Sequence, residues 1–186
     1  MMTDTRQVRA PHAREVSIIE TNIARFGWRD GAGESVRVAL GWDWNEFQQR
    51  WPGGLDDLFR DIYMHRCRRC CEDTAHALAA HLIENPASGE TALADLALET
   101  AAAVWEDFQW RIIALEYGAR LLRYPELLSG FADLASSATT DLSNAIAGAA
   151  RIDLSQADAI VAELVRHCPQ FGVGPWRELV PHAQTR

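Results

Sequence analysis

Apolar positions recur at helical spacing along most of this chain. Val16, Ile19 and Ile23 lie three and four residues apart, which predicts a helix over Ala13–Phe26 with Gly27 as its C-cap. Two short amphipathic segments follow, residues 34–40 and Trp44–Arg50, on either side of Gly41-Trp42-Asp43. Asp43 stands at the N-cap of the second segment, where its carboxylate is expected to accept from the backbone N–H of Asn45 or Glu46. Phe47 and Trp51, four apart, are expected to pin that segment to the first helix. A long helix is predicted over 55–83, with Leu58, Phe59, Ile62, Cys70, Leu78 and Leu82 on its apolar side. It ends at the breaker Glu84-Asn85-Pro86-Ala87-Ser88-Gly89.

Four further helices are expected over 91–104, 107–123, 125–150 and 155–167, with a short tail helix near 175–180. Pro125 suits a first helical position, and Ser155 with Asp158 has the spacing of a capping box. No stretch alternates with the period of a strand and no internal repeat is evident. The expectation is an all-α protein: an N-terminal three-helix head joined by a long helix to a helical bundle. The head would span 1–54, with the helix-turn-helix at about 32–51, and the bundle 55–186.

Composition narrows the function classes. The chain has 186 residues, 48% of them apolar, enough for a sizeable core. No apolar run approaches the roughly 18 residues that a membrane span needs, and the polar start lacks the pattern of a secretory signal, so no membrane partner and a cytoplasmic location are expected. The net charge of −8 is uneven. Residues 1–71 hold 11 Arg against 10 acids, a net +1, whereas residues 72–186 hold 7 Arg against 16 acids, a net −9. DNA approaching the head end is compatible with this balance, which still falls short of a strong basic footprint.

A short helix, a glycine turn and a second short helix form the element that sets a helix in the DNA major groove. Here Gly27-Trp28, Val36, Ala39-Leu40-Gly41-Trp42-Asp43, Phe47, Trp51, Pro52-Gly53-Gly54 and Leu58-Phe59 fall in ungapped register. Over these thirty-three residues the chain resembles the tetracycline-repressor (TetR) family of bacterial transcriptional regulators. The resemblance implies a ligand-responsive repressor that binds a double-stranded operator. Trp42, Asp43, Trp44, Asn45, Gln48, Gln49, Arg50 and Gly54 would form its DNA-reading surface. It also implies a homodimer through the last long helix, where Ile160, Val161, Leu164 and Val165 recur, completed by Trp176 and Leu179. A small apolar or aromatic effector would enter the body. The positions that usually carry a base, a small residue, a hydroxyl and a Tyr are Trp44, Asn45, Glu46 and Gln48, and Leu55 replaces the usual Lys. Losing phosphate-binding groups while gaining carboxylates weakens attraction to DNA. The alternative is an interaction module that kept the fold and lost operator binding, with Trp42, Trp44 and Trp51 as a protein-binding patch.

Helical bundles host small molecules between their helices, in sites that are mostly apolar and aromatic. Trp105, Phe108, Trp110, Tyr117 and Tyr124, with Gln109, Glu116 and Arg120 for polarity, form the candidate effector pocket; ordinary core packing is the competing reading. Cys67, Cys70 and Cys71 share one helix with His65 and His76. A thiol or metal sensor is therefore a third reading, with Arg66, Arg68 and Arg69 available to stabilise thiolates, against plain burial of the cysteines. No metal site or cofactor is assigned. No phosphate loop, nucleophile elbow or His-Glu-x-x-His motif occurs, and an enzyme is not expected. Arg6, Arg9 and His12 would lie on a flexible arm, which follows DNA or stays solvated.

Overall fold

A computed structural model describes residues 13–28 and 31–167. The described residues form eight helices and no strand: α1 (Ala13–Phe26), α2 (Ala32–Leu40), α3 (Trp44–Arg50), α4 (Leu55–Glu84), α5 (Glu90–Trp105), α6 (Phe108–Arg123), α7 (Leu127–Ala150) and α8 (Leu154–His167). No helix among them is long and apolar enough to cross a membrane. The expected arm and tail helix lie outside the described residues, as do Cys168, Trp176 and Leu179.

The chain divides into two compact units, Met1–His65 and Arg66–Arg186. The division falls inside α4, eleven residues beyond the Gly53-Gly54 turn. Leu58, Phe59, Ile62 and Tyr63, in the first turns of α4, are all buried. Phe59 meets Trp28 edge-on at 5.7 Å, so this part of α4 belongs to the core of the N-terminal unit.

Within that unit α1 buries Val16, Ile19 and Ile23 and packs against α2, which contributes Ala32 and Val36. The two helices are tied by the Ser35 hydroxyl, which donates to Asn22 Oδ1 at 3.0 Å. α2 stops at Gly41, whose φ of 72° lies in the left-handed region. The Trp42 N–H bonds back to the Arg37 carbonyl, closing a Schellman-type turn. Nothing lies within 4 Å of a Cβ added at Gly41, so Gly41→Ala carries only the backbone penalty. It is expected to lower stability by about 1 kcal/mol in urea denaturation, with an unchanged midpoint the contrary result.

In the C-terminal unit α8 packs against α7 and α5 through Ala157, Val161 and Leu164. Gln156 of α8 donates to Glu90 of α5 at 2.7 Å. Two of the expected helix starts are corrected. Pro125 sits in a turn closed by the Leu127 N–H on the Tyr124 carbonyl, and α7 begins only at Leu127. The cap of α8 is Asp153 with Gln156: Asp153 Oδ1 accepts from the Gln156 N–H, and Gln156 Oε1 accepts from the Asp153 N–H. Ser155 lies inside the helix and donates to the same Asp153 carboxylate at 2.7 Å. That bond, with the backbone N–H groups of Gln156 and Ser155, holds the Asp153 carboxyl below its ordinary range.

Candidate nucleic-acid interface

The α2–turn–α3 element is built from its inner face outward. Asp43 accepts from the Glu46 N–H at 2.8 Å while Glu46 Oε2 accepts from the Asp43 N–H at 2.8 Å, a complete capping box. From that start the seven residues of α3 turn Phe47 inward. Its ring lies on Gly33 of α2, where an added Cβ would sit 3.3 Å from Phe47 Cζ. Phe47 also meets Trp51 edge-on at 5.1 Å, and Trp51 stacks on Trp42 at 5.3 Å. Phe47 and Trp51 therefore brace α3 from behind, against α2 and the turn. Gly54 closes the following turn through its N–H on the Trp51 carbonyl. The Gly53 N–H is taken by the Asp57 carboxylate at 2.7 Å.

The outer face carries Trp44, Asn45, Gln48 and Gln49, all exposed; Asp43 and Glu46 are also exposed but engaged in the cap. Trp44 is 50% exposed although one ring face stacks on Phe47 at 5.2 Å. The bases beside this face are committed elsewhere. Arg50 pairs with Asp61 at 3.0 Å and its side chain is only 13% exposed. The same Asp61 oxygen accepts from Trp51 Nε1 at 3.0 Å. Arg37 grips Glu34 through two nitrogens, donates to the Trp42 carbonyl at 2.6 Å and lies over the Trp44 ring. Hydrogen bonding to Arg37 holds the Glu34 carboxyl below its usual range and raises the Arg37 guanidinium in turn. Asp61, which neutralises Arg50, and Arg37, which ties the turn through the Trp42 carbonyl, are both absent from the sequence-based site. Only the Glu34-x-x-Arg37 spacing signalled either of them.

Such a face offers side-chain amides and one indole edge. Bidentate amides suit an adenine edge, and an apolar ring suits a thymine methyl. It offers phosphate no unpaired base from α3.

The eight positions of the expected effector pocket differ in burial. Trp105, Trp110 and Tyr117 are core: Trp105 and Trp110 meet edge-on at 5.6 Å, and Tyr117 meets Phe131 at 6.0 Å. Phe108, Gln109 and Tyr124 are exposed, whereas Glu116 and Arg120 are half-buried, with Arg120 over the Tyr124 ring. A recess of about 500 Å³ opens elsewhere, among Leu82, Ile83, Pro86, Leu93, Ala150 and Ile152. A second, of about 360 Å³, lies between α7 and α8.

Two of the four residues expected at a dimer interface of the last helix, Val161 and Leu164, are buried within the chain, while Ile160 and Val165 are half-buried. Burial of the cysteines favours plain packing over the sensor reading. Cys67 and Cys70 are buried and Cys71 is half-buried. Burial pushes the Cys70 thiol up to about 12. Burial, with Asp141 and Glu72 nearby, raises Cys71 to about 11. The neighbouring arginines thus do not make these two groups thiolates at neutral pH. Among the described residues no three His, Cys, Asp or Glu side chains gather as metal ligands would.

No protein-family model matches the chain, and comparison with curated proteins and with solved structures gives no match.

Proposed function

We propose that this protein is a TetR-like, DNA-binding transcriptional regulator whose α3 reads base edges with little help from phosphate attraction. The observation that carries the reading is the two-sided build of α3. Phe47 and Trp51 anchor one side, while Trp44, Asn45, Gln48 and Gln49 stand clear on the other. A short helix held from behind with an open polar face is what entry into a major groove requires.

Fluorescence anisotropy on DNA fragments from upstream of its own gene tests the proposal. One fragment is expected to bind at least tenfold more tightly than the rest. Gln48→Ala is expected to weaken that complex about tenfold, since a good bidentate amide–adenine contact contributes roughly 1–3 kcal/mol of discrimination. Arg50→Met is expected to leave the slope of log affinity against log salt unchanged, because Asp61 already neutralises that charge. Equal and negligible binding to every fragment would refute the regulator.

The internal engagement of Arg37 and Arg50 specifically favours a second reading, an interaction module without an operator. The tip then presents a half-exposed Trp44 among carboxylates, a surface suited to a protein partner with an apolar and basic patch.

A further inference from the structure

α6 carries two apolar faces. Trp110, Ile113, Ala114, Tyr117 and Leu121 fill the core of the C-terminal unit. A second set, Phe108, Ile112, Leu115, Ala119 and Leu122, recurs at spacings of four, three, four and three. Phe108 is 75% exposed and Leu115 68%; Leu122 and Ala119 are also exposed and Ile112 is half-buried. Alternating steps of three and four keep side chains on one seam against a partner helix, whose residues they enter as knobs into holes. The stripe spans fifteen residues, about 21 Å of helix from Phe108 to Leu122. Scattered exposed apolar residues are ordinary, but a continuous row of this length marks an interaction surface.

Charge at the two ends of the row identifies the occupant. Exposed Glu106 adjoins its N-terminal end and exposed Arg123 its C-terminal end. An antiparallel copy of the same helix would set each Glu106 against the Arg123 of the other chain, whereas a parallel copy would set like against like. The helix dipoles also oppose favourably in that arrangement. An isologous contact needs this self-complementarity. We propose that the stripe Phe108–Ile112–Leu115–Ala119–Leu122 is the seam of a homodimer, with α6 of a second copy lying antiparallel across it. Phe108 of one copy lies by Leu122 of the other, and Leu115 sits near the two-fold axis. The seam is independent of what α3 binds and differs from a pairing through the last long helix.

Sedimentation equilibrium of the full chain tests this. The mean mass is expected to rise from the 20.8 kDa of one chain toward twice that value between about 1 and 100 µM, a range suited to a seam smaller than a standard interface. Leu115→Arg alters an exposed side chain, so it is expected to leave the circular dichroism unchanged and to abolish the concentration dependence. Glu106→Arg and Arg123→Glu are each expected to weaken association several-fold, and the two together in one chain to restore it. A chain monomeric throughout overturns the proposal. So does a dimer indifferent to Leu115→Arg, or a double charge swap that fails to recover association.

Discussion

Trp51→Ala is expected to cost about 3–5 kcal/mol, the range for deleting a large buried aromatic, and to unfold the α2–turn–α3 element at moderate denaturant. Trp51 is almost wholly buried, stacked on Trp42 and edge-on to Phe47. Its indole N–H also donates to Asp61, which binds Arg50 through the same oxygen. Alanine removes the ring from between two others and withdraws one of the two donors from that carboxylate. Trp51→Phe keeps a ring there and loses the donor, so a loss of roughly 1–2 kcal/mol is expected. Urea denaturation followed by circular dichroism, with amide exchange over residues 13–60, separates the two variants. A loss below about 1 kcal/mol for Trp51→Ala would show that Phe47 alone holds α3.

Arg66→Met is expected to be nearly as damaging, at about 3 kcal/mol, and its effect is expected in the C-terminal unit. The Arg66 guanidinium is buried over the Trp110 ring, donates to the Val104 carbonyl at 2.6 Å and lies 3.6 Å from Asp107. Val104 is in the last turn of α5, where carbonyls lack helical partners, and Asp107 is the N-cap of α6. One side chain thus closes the corner between two helices. Methionine fills similar space but supplies no donor. The Asp107 carboxylate is 44% exposed and keeps water, so the cost falls at the low end of the range for a broken buried pair.

Acid titration adds a second readout. Burial raises the Asp107 carboxyl, but the Trp110 N–H, the Arg66 charge and the Gln109 N–H outweigh it and leave the group below its ordinary range. A carboxyl depressed in the folded state contributes stability above its unfolded pKa and loses it as pH falls through the folded value. Without Arg66 that loss is expected to begin at higher pH. Coincident acid transitions for the wild type and Arg66→Met would contradict the role given to the pair.

Helix positions were legible because single-face periodicity is a local property. α1 and α3 begin and end where the spacing of Val16, Ile19 and Ile23 and the Asp43 cap place them. Pro125 misled because proline fits a turn as well as a first helical position. Asp153 and Gln156 share the n, n+3 spacing that drew attention to Ser155 and Asp158, and nothing local ranks the two pairs. Side-chain partnerships were less legible. Arg50 meets Asp61 only because the chain reverses at Gly53-Gly54, which brings α4 back beside α3. Trp105 and Trp110 present the same pattern whether they line a cavity or pack on each other, and only the folded chain shows their edge-on contact. On α6, Phe108 reads from the sequence as pocket lining and Leu115 carries no separate signal, because two apolar faces on one helix blur its amphipathic pattern.

The contact between Gly33 and Phe47 extends beyond stability. The ring tip stands so near the glycine that even a methyl group at position 33 would push it back by a few tenths of an ångström. Positions 33 and 47 therefore share a fixed volume, and a lineage that enlarges one is under pressure to shrink the other. Among descendants of this sequence the two sites should mutate in step, Ala beside Leu or Gly beside Phe, with mismatched pairs rare.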